Sequence, residues 1–438
     1  MRQNKFDLSK LLGKGLLSSH PAGVNQEGFV ELVNLKPWES KLKYVDKLTL
    51  VPVSKKTQEF RIGNQSWAVD NSACYSISGG VLTKVLDFTE TNKHWDSANF
   101  IKFGIISNGD VTIFISDGVA SLDKPFDADL PVSNSMTDLH GQLILGGLTA
   151  AWNNLDGTFV AWSKIGAVNF TVGKDTEAGF HNPDIGNVLK VLPLDKGFCA
   201  IGDAGVAIYK PVLQTFSYKK IWGVGARDKA SCAGNGEEVY FIDTFGKLCR
   251  VTGTPKVLQA EKGPEVLDYE WILRDTDASL FYSRDLDELW IRNSNGNFVL
   301  NKSGMYQRSV EVSGLFKEGS VLYGLKVSGT ETAAWFKTSK LDFNIGGDKT
   351  ISEVYCQDDS GGSKYTELTL TKKQVDYASR EFLENDNGVT YPHLTGNVMA
   401  VKRITKKFTS GSISNLHVQT IRVDGRSGLG WTGAQNVN

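Results

Sequence analysis

No window of about 18 apolar residues occurs in the 438-residue chain, so the sequence offers no helical membrane span. Cysteine is scarce. Cys74, Cys199, Cys232, Cys249 and Cys356 form no CxxC pair, and their odd number favours reduced thiols over a disulfide framework. Net charge is nearly absent, with 48 Lys and Arg against 49 Asp and Glu, which removes any whole-molecule attraction to nucleic acid or anionic membrane. An export signal is not expected either: the apolar run LLGKGLL is broken by Lys14, whereas a signal peptide needs about 7–15 uninterrupted apolar residues.

Catalytic signatures are equally sparse. The chain has no GxSxG elbow, no GxxxxGK[ST] phosphate loop, no HExxH and no GxGxxG that opens a helix. His20, His94, His140, His181, His393 and His417 lie far apart, with no pair at metal-ligand spacing. Carboxylates recur at i, i+2 in Asp127/Asp129, Asp275/Asp277 and Asp285/Asp287, which on a strand share one face and suggest calcium or glycosidase chemistry. No DxDxDG loop accompanies them, and Arg274 and Arg284 interleave the last two pairs, so salt-bridged turns are the simpler reading. Sialidase propellers carry Ser-x-Asp-x-Gly-x-x-Trp boxes; SKIGAVNF (163–170) has Ile165 where the Asp belongs and its glycine one place early. The basic and aromatic runs FSYKKIWG (216–223) and VKRITKKF (401–408) suit phosphate tracking with base stacking, but lysines that protect sheet edges explain them as well. The expectation is no catalytic residue, no cofactor site and no metal site.

Glycine is what the chain has in quantity: 45 residues against 11 prolines, set singly between short apolar runs. Period-two alternation dominates, as in VTIFISDG (111–118), where Val111, Ile113 and Ile115 share a face. Helical spacing is confined to DLSKLLGKGLL (7–17) and KKQVDYASREFLEN (372–385), where Val375, Ala378 and Phe382 fall on one side. A strand, a turn holding Asp or Asn with Gly, and a second strand recur in IFISDGVASL, AAWNNLDGTFVAW, CAIGDAGVAIYKP, VYFIDTFGKLCRVTG and LWIRNSNGNFVLNKSG. Their turn glycines, Gly118, Gly157, Gly205, Gly246 and Gly296, follow one another at intervals of about 40–50 residues, with a weaker copy at Gly80.

One hairpin in each such interval leaves room for two more strands, the content of a four-stranded propeller blade. Thin sheets of this size gain a core only by stacking on one another. A sandwich places turns every 8–12 residues without such a super-period, and a solenoid repeats at shorter intervals. The predicted fold is therefore all-β, a β-propeller of about six blades over residues 45–340. An N-terminal extension (1–44) precedes it. A second, smaller β domain (341–438) follows, with one helix and a Gly-rich tail, GRSGLGWTGAQNVN, expected to be mobile until it meets a partner.

The segment 160–211, with Trp162 and Ser163 ending a strand, then Ile165, Gly166 and Phe170, then Ala178 and Gly179, resembles β-propeller virion proteins of tailed bacteriophages. Residues 221–253 look like the succeeding blade of that family, and 333–357 is similar to the strand that leaves the propeller in short-tail nozzle and hub proteins. The resemblance implies a structural subunit rather than an enzyme, synthesised in the bacterial cytoplasm and assembled in the virion tail as a ring around the DNA exit channel. It further implies a homo-oligomer, a hexamer being favoured, with adaptor and fibre or spike proteins as partners and non-specific contact with DNA. On that reading the aromatics of 157–182 fill space between blades, while Lys164, Lys174 and Asp175 face solvent or a neighbouring subunit. A glycan-binding receptor propeller is the alternative, and a glycosidase stands third.

Overall fold

The computed structural model describes residues 3–17, 26–54, 56–149, 152–173, 176–213, 215–252, 264–267, 269–274, 277–342, 349–372, 375–396 and 398–422. The chain is all-β and forms two compact units, one of residues 48–295 and 311–328, the other of residues 1–47, 296–310 and 329–438.

The larger unit is the propeller expected from the glycine spacing, in a six-bladed arrangement. Five complete four-stranded antiparallel meanders follow one another: blade 1 (58–87), blade 2 (96–121), blade 3 (133–181), blade 4 (188–222) and blade 5 (232–266). A further antiparallel pair, Ser279–Ser283 with Glu288–Asn293, also belongs to this unit. A three-stranded sheet closes the ring: Thr49–Pro52, from the beginning of the unit, pairs in parallel with Val321–Gly329, which pairs with Val310–Glu318.

Each core belongs to two neighbouring sheets, as the stacking argument requires. Ile62, Trp67, Val69 and Cys74 of blade 1 pack on Ile106, Ile113 and Ile115 of blade 2. Ile144, Val160 and Trp162 of blade 3 meet Val188, Val191, Phe198 and Tyr209 of blade 4. Blade 4 in turn offers Cys199, Ile201, Val206 and Ile208 to Val239, Phe241, Cys249 and Val251 of blade 5. Fully burying one such large apolar side chain is worth about 1.5–3 kcal/mol, so no blade is stable without its neighbours.

The smaller unit is also β. One sheet orders Leu35–Trp38, Lys41–Tyr44, Ser412–Arg422, Lys349–Asp358 and Val389–Thr390, with Gln3–Asp7 also on Ser412–Arg422. Another orders Gly296–Asn301, Gly304–Arg308, Phe29–Val33, Ala333–Thr338, Val398–Lys406, Ser363–Lys372 and Val375–Ala378. Between the two sheets Arg403 is buried, its Nη1 2.8 Å from Asp358 and its Nε 2.7 Å from Glu384. Burial pushes the Asp358 carboxyl up, but the Arg403 guanidinium and hydrogen bonds from Ser360 and Tyr44 outweigh it and hold that group below the usual aspartate value.

Three sequence expectations are corrected. The N-terminal residues are not an extension ahead of the propeller, and the smaller unit does not begin at 341. Residues 1–47 and 296–310 fold with 329–438, because ladders such as Gln3–Asp7 on His417–Ile421 join the ends of the chain. The helix expected over 372–385 is absent. Val375–Ala378 is an exposed edge strand on Thr369–Lys372, and Phe382–Leu383 pairs with Tyr365–Thr366. A ready ladder partner satisfies the backbone of these β-branched and aromatic residues, and it overrides a helical spacing that has no face to bury. In 7–17 only Ser9–Leu11 is helical, as one 3-10 turn. The tail 425–438 lies outside the described residues.

Candidate functional site

The leading strands of the blades line an axial cavity of about 410 Å3, to which the closing sheet adds Ser313, Leu315 and Phe316. At the end where those strands begin, Asp96 of blade 2 is buried and accepts hydrogen bonds from Ser135 Oγ of blade 3, at 2.5 Å, and from Lys190 Nζ of blade 4. Lys229 Nζ, just ahead of blade 5, lies 3.7 Å from the same carboxylate and donates to the carbonyls of His94, at 2.8 Å, and Asn134. Ser135 Oγ also accepts from Val191 N at 2.9 Å, and Gln58 Oε1 of blade 1 accepts from Trp95 N at 2.8 Å. One polar network thus ties five successive blades.

The protonation states follow from that packing. Burial pushes Asp96 up, yet Lys190, Lys229 and its hydrogen bonds outweigh this and hold it below the usual aspartate value. Burial, helped by the same two lysines, drives the His94 imidazole well below its ordinary value, so it is neutral at pH 7. Lys229 is pushed down to about 8 by burial, with Asp96 opposing. Farther along the axis Glu59 opens part of its surface to the cavity but is surrounded by protein. Burial pushes its carboxyl up to about 8, against a hydrogen bond from Ser66 and the charge of Arg61. The closing sheet approaches here so tightly that a Cβ on Gly314 would stand 2.5 Å from Glu59 Cβ.

At the far end Asp138 Oδ1 accepts from Asn99 N at 2.8 Å, Asn99 Oδ1 accepts from Gly63 N at 2.9 Å, and Arg61 stands 3.9 Å from Asp285. The carboxylate pairs singled out in the sequence are thereby separated. Asp285 faces Arg61, Asp287 accepts from Tyr282 at 2.6 Å, and Asp129 is paired with Lys124 at 3.0 Å. Asp275 lies outside the described residues. Among the described residues no group of three His, Cys, Asp or Glu is placed to hold a metal ion, and no helix is long and apolar enough to cross a membrane. All five cysteines are buried free thiols.

Of the segment that carries the virion resemblance, most side chains lie inside. Trp162 packs on Tyr209 and Phe216 of blade 4, and Ser163 Oγ accepts from Leu143 N at 2.9 Å. Phe170 and Ala178 are buried, Phe170 edge-on to Trp152. Gly179 pairs with Trp162, whose ring would be 2.6 Å from a Cβ there, so only glycine fits. Ile165 is exposed, and Gly166, at φ +76°, turns the loop back onto Gly141. Lys174 and Asp175 lie outside the described residues.

The turn glycines mark different corners of the blades. Gly118, with Asp117, makes the two-residue turn between the third and fourth strands of blade 2, both at positive φ. Gly205 and Gly246 sit between second and third strands. Gly157 is not at a hairpin tip: its carbonyl accepts from Val188 N of blade 4. Gly296, at φ +140°, opens the strand Gly296–Asn301. This mixture of corners explains the uneven intervals. The Asp96 network escaped sequence reading because its members sit tens of residues apart, with no local motif. Their signal is positional: each stands within three residues of the start of a blade's leading strand.

No protein-family model and no curated relative matches the chain. The fold is a β-propeller. Solved structures similar to it include PorZ, a surface component of the type-IX secretion system of Porphyromonas gingivalis, with 13% identity over 65% of this chain and 36% of that one, TM-score 0.37. A quinonprotein alcohol dehydrogenase-like protein of Bacteroides thetaiotaomicron matches with 12% identity over 57% and 65%, TM-score 0.39. The extracellular domain of a putative one-component system of the same organism matches with 10% identity over 76% and 47%, TM-score 0.43. The chain spans less than two thirds of each of these proteins, and likeness at this level concerns fold alone.

Proposed function

We propose that this propeller is a structural, non-enzymatic subunit of a bacteriophage tail, of the nozzle or hub kind. It assembles as a homo-oligomeric ring around the DNA exit path and contacts adaptor and fibre proteins. The observation that carries the reading is the outer perimeter. Blades 1, 2 and 4 end in outer strands with one unpaired ladder edge, and those edges hold large apolar residues in solvent: Val81 and Val85, Val119 and Leu122, and Val212, Leu213 and Tyr218. An isolated soluble domain blunts such edges, whereas an assembling one keeps them for its neighbours. The buried ion pairs that tie the blades suit a part that transmits load rather than one that opens.

Native mass spectrometry of the full chain, with immunogold labelling of virions from its source, tests the proposal. A closed ring, six copies being favoured, and label confined to the tail are expected. A chain that stays monomeric at every concentration and is absent from particles overturns it, and saturable, competable binding on a glycan array would favour a receptor-recognition propeller instead.

A further inference from the structure

The far mouth of the axial cavity is a rim of charged side chains that the fold leaves loosely paired. Asn99 of blade 2 joins its neighbours there: its side-chain amide donates to the Arg61 carbonyl of blade 1 at 3.0 Å, and its backbone N–H donates to Asp138 Oδ1 of blade 3 at 2.8 Å. Arg61 stands 3.9 Å from Asp285, which sits with Arg284 in the turn between Ser279–Ser283 and Glu288–Asn293. A bidentate guanidinium–carboxylate contact needs about 2.7–2.9 Å, so the Arg61 fork is not spent on Asp285. Arg284 has no ion-pair partner among the described residues, and its charge acts on Asp138 only through space. All four charged side chains line the one cavity, two of each sign.

Deeper in the cavity the wall becomes neutral. Glu59 lies two residues before Arg61 on Gln58–Ile62, about 6.6 Å along the strand, and with its carboxyl pushed up to about 8 it keeps its proton at neutral pH. The closing sheet packs on Glu59 at Gly314, which sets the adjacent Ser313 at the same depth. Ser313 Oγ is buried without a hydrogen-bond partner among the described residues, a state that native hydroxyls rarely keep. Met136, Leu192, Leu315 and Phe316 supply apolar wall around these groups. The opposite end is closed by its own contacts, because Lys190, Lys229 and Ser135 are committed to Asp96 and to backbone carbonyls. A charged ligand group therefore has partners at the Arg61 rim and not at the Asp96 end.

We infer that the axial cavity binds a small α-amino acid as its zwitterion, with the carboxylate on Arg61 and Arg284, the ammonium on Asp138 and Asp285, and a neutral hydrogen-bonding side chain on Ser313. A plain anion meets two carboxylates at this rim and a plain cation meets two guanidiniums, whereas a zwitterion satisfies both pairs and brings no net charge into the protein. The step of two strand residues from the rim to the level of Ser313 matches a side chain of glutamine length. The cavity volume of about 410 Å3 is near the low end of the roughly 300–1,000 Å3 of small-molecule sites, so the occupant is one small molecule. The site lies within a single compact unit and does not depend on how the chain assembles.

L-Glutamine is the probe. The full-length chain is titrated by isothermal calorimetry with L-glutamine, with L-glutaminamide, which lacks the carboxylate, with N-acetyl-L-glutamine, which lacks the ammonium, and with L-norleucine, whose side chain has the same length and is apolar. Saturable binding of L-glutamine is expected, with the two singly charged analogues weaker by at least about tenfold. Arg284→Ala and Asp138→Asn, each checked by circular dichroism melting to be folded, should lose at least about tenfold in affinity. Ser313→Ala should still bind but lose the preference for L-glutamine over L-norleucine. L-Glutamine should also raise the melting temperature of the parent chain and leave that of Arg284→Ala unchanged. No binding of L-glutamine up to about 10 mM, equal binding of either singly charged analogue, or undiminished affinity in folded Arg284→Ala overturns the inference. The analogue series decides the matter even if a variant fails to fold, and none of these results bears on where the chain sits in a virion.

Discussion

Asp96 shows how much one side chain carries in this structure. Its carboxylate is the shared acceptor for Ser135 and Lys190, with Lys229 close by, and both Asp96 and Lys190 are buried. Asp96→Ala leaves buried cations uncompensated and is expected to cost about 3–5 kcal/mol, read as a lower urea midpoint with an unchanged slope. Glu59 supplies a pH test. Its folded value of about 8 is raised above the ordinary 4.5, so its contribution to stability is complete below pH 4.5 and is lost as pH rises through 8. His94, held below 6.5, adds no slope above that pH, and Lys229, lowered from 10.5, contributes stability that is complete above 10.5 and lost as pH falls through 8. Between pH 6.5 and 7.5 stability should therefore fall as pH rises, and Glu59→Gln should flatten that slope in urea titrations. Neither residue announces itself in the sequence: Glu59 sits in QEFRI and Asp96 in WDSANF, strand segments of ordinary appearance. Gly179 stands out in the sequence only through a family resemblance. The Trp162 ring explains why no larger residue fits there.

Among elements, the outer hairpins separate what is needed for folding from what is available for contact. Leu213 touches nothing in its own chain and holds a left-handed backbone, so Leu213→Gly should raise stability by about 1 kcal/mol while reducing self-association. A higher melting temperature together with a smaller sedimenting species is the expected pair of readings, and a lower melting temperature would place Leu213 in the fold rather than at an interface. At Val375–Ala378 helical spacing in the sequence meets a strand in the structure. Val375, Ala378 and Phe382 satisfy helical spacing, but a helix needs a face to bury, and Val375–Ala378 is exposed throughout. The alternating strands were legible because each has a buried face against its neighbour; VTIFISDG, with Ile113, Phe114 and Ile115 buried, is one.

At the scale of the molecule, the propeller closes through a strand contributed from far along the chain. Thr49–Pro52 pairs in parallel with Tyr323–Lys326, so the ring depends on about 270 intervening residues being folded first. Val51→Pro removes a ladder donor and leaves a buried acceptor unsatisfied. It should cost on the order of 1–3 kcal/mol and show most strongly as faster exchange of amides in the closing sheet. The sequence by itself determined the all-β class and the repeating blade, and it placed turns at Gly118, Gly205 and Gly246 but not at Gly157 or Gly296, because alternation, Asp-Gly turns and a 40–50-residue period are local properties that each segment expresses wherever it lies. Only the tertiary structure decided the discontinuous smaller unit and the network centred on Asp96. Those depend on which distant residues become neighbours, and pairing at a distance is governed by the burial and ladder partners of the whole chain rather than by any window within it.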